Sequence, residues 1–445
     1  MKNRKFYPLM VFLVLLVCIS GCTDTQEDQT SIDSTYNGMP DGEMGMPPGG
    51  AGGSASVDTG TGAYVLTDGE ELTGGTYASS NDDENAIRAE GEVTATLNDV
   101  TVEKTGGSAS SSDASSFYGL NSAILALDNA VLYINGGLVT ATTEGSNGVF
   151  AYDGATIYIE DTEITVSGGN AGGIEVAGGG TMYATNLNVF ATVKAAIRSD
   201  RGGGTMVVDG GTYKTSGSSG APAIYSTADI TVSNAVLTAE TSEAVVVEGL
   251  NSVTINNCEV MGNMEGVYGN ECSENIHNVM LYQSMSGDAD VGTSSFTMTG
   301  GSLVSNNGDM FYITNTDSIL TLNNVDLTLA DGTYLILIAG NDGSRGWGSA
   351  GSNGGTCEVN FNEETVSGDI MVDSISEMDL SISDGSSYTG AINSDGTTAS
   401  ALLVTIDSTS TWTLTGDSYI TKLSGNTENI VLNGYTLYEG GVAFE

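Results

Sequence analysis

The chain has 445 residues, with 56 Asp and Glu against 11 Lys and Arg, 62 Gly, 5 Cys and a single His. A formal net charge of -45 argues against nucleic-acid binding, which needs a basic surface, and one histidine rules out a His-rich metal cluster and leaves little room for Ser-His-Asp chemistry. With 39% hydrophobic residues and 19 Tyr, there is enough apolar surface for a core, so disorder throughout is excluded.

Lys2, Arg4 and Lys5 precede an apolar run from Leu9 to Ile19. The run is roughly half of the ~20 residues that span a bilayer, so residues 1–21 read as a secretory signal. Its removal takes away three of the 11 basic residues and no acidic one, leaving 8 against 56, or -48. The next feature, Ile19–Ser20–Gly21–Cys22, resembles the lipobox of prokaryotic lipoproteins. That resemblance implies cleavage before Cys22, acylation of its thiol, and a place on the extracellular face of the cell membrane, held only through lipid. An ordinary signal peptide with a chance Cys is the alternative. Residues 22–62, rich in Gly, Asp, Pro and Met and without a period, read as a flexible tether.

From residue 63 to 445 a short unit recurs: an apolar–polar–apolar triplet followed by Asn, Asp or Gly. Examples are Ile157–Tyr158–Ile159, Met182–Tyr183–Ala184, Ile230–Thr231–Val232 and Leu320–Thr321–Leu322. The middle residues fall at 96, 133, 158, 183, 207, 231, 254, 297, 321, 360, 381, 405 and 431. The usual step is 23–25 residues, and three longer steps mark insertions around 106–120, 265–293 and 341–355. A period near 24 with such short strands predicts a solenoid of about 13 rungs, triplet ends inward and middle residues outward. Helices fail as a reading, because Gly, Thr, Ser and Asn dominate and no i, i+3, i+4 stripe persists. Asn and Asp at the turns supply left-handed residues and stacked amide ladders.

Ala196–Gly204 (with Arg198, Asp200 and Arg201), Tyr282–Gly292 and Gly346–Gly354 complete the pattern. Over residues 63–440 the chain resembles the pectin-lyase-like superfamily and, within it, the adhesin-like, carbohydrate-binding proteins of anaerobic bacteria and archaea. The resemblance implies an all-β, single-stranded right-handed parallel β-helix. It leaves activity open, since that fold carries lyases, hydrolases and plain binders.

Two functions compete. The first is a non-catalytic, lipid-anchored adhesin whose partner is a polysaccharide or cell-surface glycan. The second is an extracellular polysaccharide lyase or glycoside hydrolase. For the first, Tyr133, Tyr158 and Tyr183 occupy one outward position on successive rungs, and Trp347 sits in a Gly-rich loop. The tyrosines present a flat repetitive surface to an extended glycan, or else simply stack on themselves. For the second, Arg198, Asp200 and Arg201 place two guanidiniums about a carboxylate at one rung tip, suited to a uronate or to a local ion pair. Scarce basic residues and no evident second acidic cluster nearby favour the binder. No cofactor is expected. Asp288 and Asp290, with Asp-x-Asp spacing in the largest insertion, are the one calcium candidate, against a solvated loop. His277 reads as a hydrogen-bonded loop residue, and Cys258 as a core residue with a bridge to Cys272 as the alternative.

Overall fold

A computed structural model describes residues 57–218, 220–266, 275–284, 286–341 and 348–444. Cys22, Cys272 and Trp347 lie outside the described residues, as does part of the third insertion. The described residues belong to a single unit, Ser56–Glu445.

The triplets pair as parallel strands in register. Thr96, Tyr133, Tyr158, Tyr183, Val207, Thr231 and Thr254 stand opposite one another in turn. Thr297, Thr321, Asn360, Ser381 and Thr405 continue the column. Because side chains alternate along a strand, an apolar–polar–apolar triplet puts its ends on one face. Ile157, Ile159, Met182, Ile230, Val232, Leu320 and Leu322 are accordingly buried in one continuous core. Full burial of such a side chain stabilises by about 1.5–3 kcal/mol, so every coil contributes to the fold. The chain is an all-β parallel β-helix.

Each coil turns a corner directly after its triplet strand. Asp99, Asp161, Asn186, Asn234, Asn257, Asn324, Glu363 and Asp384 hold that corner at φ between 49° and 56°, and Gly136, Gly210 and Gly300 hold it in other coils. Asn and Asp tolerate this left-handed region through local hydrogen bonding, and Gly has no Cβ to clash. Side chains along the corner bond from coil to coil. Asn135 Nδ2 donates to Asn98 Oδ1 at 2.8 Å, Asn186 Nδ2 to Asp161 Oδ1 at 2.6 Å, and Asn362 Nδ2 to Asn323 Oδ1 at 2.9 Å. The triplet strands and, as far as Asp326–Thr328, those beyond the corner form a main sheet of 20 strands, and from Thr365–Ser367 on the strands beyond the corner form a separate sheet of four. A front sheet of 12 strands closes the coils on the other side.

Two expectations need correction. The last triplet, Ile430–Val431–Leu432, does not join the column: Ile430 and Val431 pair with Trp412 and Thr413 in a separate sheet, and Ser424 stands opposite Thr405 instead. The final coils are shorter, so a constant period runs one strand too far. The first insertion holds a helix, Ser112–Tyr118, capped by Ser111, whose Oγ accepts from Ala114 N at 3.1 Å. His277 opens the strand His277–Tyr282 and is buried, with Nδ1 3.0 Å from the Asn275 carbonyl. Cys258 is a core residue, as its place in the register predicts, and its free thiol accepts from Ala235 N at 3.4 Å.

Candidate functional site

The front sheet has its own outward column: Glu175, Arg198, Tyr225, Val246 and Met280 stand opposite one another in turn. Their neighbours Ile174, Ile197, Ile224 and Val245 point into the core. Outward residues of a solenoid normally meet water, yet Glu175 is 0% exposed and Arg198 only 7%. Arg198 lies against Glu175, and Ser116 of the first insertion meets Arg198.

The helix Ser112–Tyr118 is docked over the front sheet by polar contacts. Ser115 Oγ donates to the Gly145 carbonyl at 2.8 Å, Asn147 Nδ2 to the Ser115 carbonyl at 3.0 Å, and Arg198 Nη2 to Ser116 Oγ at 3.3 Å. Ser284, Ser286 and Asp288 of the second insertion form the opposite wall. Between them lies a cavity of about 460 Å³, lined among others by Phe117, Arg198, Tyr225, Glu248, Tyr282 and Asp288. That volume falls within the ~300–1,000 Å³ usual for small-ligand sites.

Two polar clusters occupy the cavity. At one end Arg198 Nη2 donates to Asp200 Oδ2 at 2.5 Å, and Arg198 Nε lies 3.6 Å from Glu175 Oε1. Nη1 of Arg198 is buried without a hydrogen-bond partner. Burial pushes the Glu175 carboxyl up to about 8, a rise that nearby Arg198 opposes without cancelling. Burial also raises Asp200, against the pull of Arg198. At the other end Glu248 accepts three hydroxyls: Tyr225 at 2.5 Å, Tyr282 at 2.8 Å, and Ser284. Burial lifts the Tyr225 phenol well above its ordinary value, so it stays protonated.

The predicted trio is thus only partly together. Arg198 and Asp200 form the buried pair, whereas Arg201 turns away, its guanidinium 4.1 Å from the Phe117 ring centroid and paired with Asp288. Two separate candidates from the sequence, Arg201 and Asp288, therefore meet each other. This ion pair engages Oδ1 of Asp288, and the Asp290 carbonyl accepts from Leu250 N at 2.8 Å. Among the described residues, no group of three or more His, Cys, Asp or Glu side chains is placed to hold a metal ion. Nor is any helix among them long and apolar enough to cross a membrane.

Tyr133, Tyr158 and Tyr183 stand on the main sheet and expose 39%, 40% and 42% of their surface. Their rings stack with centroids 4.9 and 5.0 Å apart and planes within 10° of parallel. The faces are therefore turned to one another, and Thr96 and Val207 follow in the column at the two ends of the row.

Sequence reasoning missed Glu175, Tyr225, Glu243 and Glu248. The signal for Glu175 and Tyr225 was a second recurring triplet: Ile174–Glu175–Val176, Ile197–Arg198–Ser199, Ile224–Tyr225–Ser226 and Val245–Val246–Val247. The chain matches no protein-family model, no curated protein and no solved structure. Its fold and site define a parallel β-helix with a walled polar cavity on its front sheet.

Proposed function

We propose that the protein is a lipid-anchored, non-catalytic surface binder of glycans, akin to the adhesin-like members of the pectin-lyase-like superfamily, and that the front-sheet cavity grips the saccharide. The observation that carries this reading is the cavity itself. Two insertions that the coil repeat does not need come together to enclose it. Its chemistry suits a polyol: carboxylates and a guanidinium take paired hydroxyls, while Phe117, Val246 and Met280 offer apolar contact to the underside of a sugar ring.

Cleavage, the competing reading, requires a carboxylate free to turn toward the reacting atom. Glu248 is engaged by three hydroxyls. Glu243 is engaged by Ser242 Oγ at 2.6 Å and by Gly220 N at 3.2 Å. Glu175 is wholly buried behind Arg198. These arrangements fit holding better than turnover. A glycan-array screen of the full-length protein, run beside a reducing-sugar and unsaturated-uronide assay, tests the proposal. Binding without cleavage supports it, and cleavage abolished by Arg198→Gln would replace it with the lyase reading.

A further inference from the structure

The cavity is walled at both ends of its floor. The floor runs along the coils from Arg198 through Tyr225 and Val246 to Met280. At the Arg198 end stand Ser116 and Phe117 of the first insertion, with Ser116 Oγ 3.3 Å from Arg198 Nη2. At the Met280 end stand Ser284, Ser286 and Asp288, which follow the strand His277–Tyr282. A polymer laid along the coils runs into one insertion or the other.

A further barrier lies across the strands. The front-sheet strands run parallel, so Ile197–Ser199, Val245–Glu248 and His277–Tyr282 all end on the same side. On that side the Arg201 guanidinium lies 4.1 Å from the Phe117 ring centroid and pairs with Asp288. One side chain, itself outside the cavity lining, thus ties the two walls together. On the opposite side, before the strands begin, the lining includes Lys194, Ala195, Gly220 and Glu243, of which Lys194 and Gly220 are partly exposed. The described lining residues of the second insertion, by contrast, all follow their strand.

Building on the saccharide reading of the cavity, we propose that it recognises the terminal unit of a glycan chain and excludes internal stretches, with Arg201 as the bar that makes the cavity blind. An internal stretch continues in both directions and needs two openings, whereas a chain end needs one. The end unit enters from the Lys194–Gly220 side and comes to rest against the barred side. A terminal sugar unit also carries one more free hydroxyl than a unit linked on both sides. Glu248 and Tyr282, which end their strands, and Ser284 line the barred side, so that hydroxyl has polar partners there. Arg201 is then the specificity-determining residue, and it selects for chain ends rather than for a particular sugar.

Titration calorimetry of the full-length protein with trimers and dodecamers of β-1,3-glucan, α-1,4-glucan and α-1,4-galacturonan tests this. Per mole of chain, a trimer and a dodecamer held by their ends are expected to bind alike, within about twofold. Binding along internal stretches would instead favour the dodecamer by about tenfold, because it offers ten trimer registers against one. Arg201→Ala should unbar the cavity and bring that dodecamer advantage back, with the fold checked by its melting transition. Should that variant fail to fold, Asp288→Ala breaks the same tie from the other wall. A dodecamer advantage already present in the wild type would overturn end recognition and leave the saccharide reading intact. Equal binding of the two lengths that survives in both variants would overturn Arg201 as the bar. If none of the oligosaccharides binds, the proposal fails, and a blank glycan array would then remove the saccharide reading too.

Discussion

Glu175 and Arg198 are register partners on adjacent strands of the front sheet, and their charged groups lie 3.6 Å apart without a hydrogen bond. Proximity to a guanidinium would ordinarily hold a carboxyl low. Here burial dominates and raises it to about 8.

That inversion gives a pH signature. Between its ordinary value near 4.5 and about 8, the folded protein keeps a proton on Glu175 that the unfolded chain releases. Stability from this group is fully present below the lower value and is lost as pH rises through the higher one, at up to about 1.4 kcal/mol per pH unit. Glu175→Gln mimics the protonated form and lacks this loss. Urea unfolding across the window should show the variant gaining on the wild type as pH rises. A constant difference between the two would refute the assignment.

The corner residues make a second test. Asn186 sits at φ 53° and donates to Asp161 at 2.6 Å. Asn186→Ala keeps the strained backbone and loses the bond, for a cost of about 1–2 kcal/mol from conformation plus about 1 from the hydrogen bond. Asn186→Gly relieves the strain and should be the milder change. Equal destabilisation by Ala and Gly in denaturant melts would mean that the left-handed corner is not what Asn186 provides.

For the tyrosine row, face-to-face stacking predicts a structural signature first. Replacing Tyr133, Tyr158 and Tyr183 together by Ala removes two stacked pairs, each contributing about 0.5–1.5 kcal/mol. Affinity for short oligosaccharides should not change. If the triple variant, still folded, loses glycan affinity, the site moves from the cavity to this ledge.

At the other end of the chain, Cys22 should carry lipid. Mass spectrometry of the native protein is expected to find an acylated Cys22 at the mature N-terminus, and Cys22→Ala should leave an uncleaved or released product. A free thiol at that position on purified native protein would refute the anchor.

The coil architecture was legible because its signal is local and repeated. An Ile–Tyr–Ile triplet beside Asp161 specifies strand, face and corner within a few residues, and neighbouring coils repeat the statement. The cavity was legible only in pieces. Arg198, Asp200, Arg201 and Asp288 were singled out, but nothing in their spacing says that two guanidiniums three residues apart point to different partners. Glu175 and Glu248 were passed over because the front-sheet triplets, at steps of 23 (198−175), 27 (225−198) and 21 (246−225), are less regular than those of the main sheet. The helix Ser112–Tyr118 is seven residues long, too short for a periodic stripe to declare it.

Arg201 touches Phe117 from the first insertion and Asp288 from the second, so one side chain spans two segments far apart in sequence. Solenoids readily vary in length by duplicating or losing whole coils, because each coil contacts only its neighbours. Such a change outside the stretch between Phe117 and Asp288 would leave the cavity walls in place. Within that stretch, one extra coil would shift the walls apart by ~4.8 Å, beyond the reach of a single guanidinium. Between its first two insertions this β-helix therefore has a fixed coil count, and lengthening falls to the coils outside that stretch.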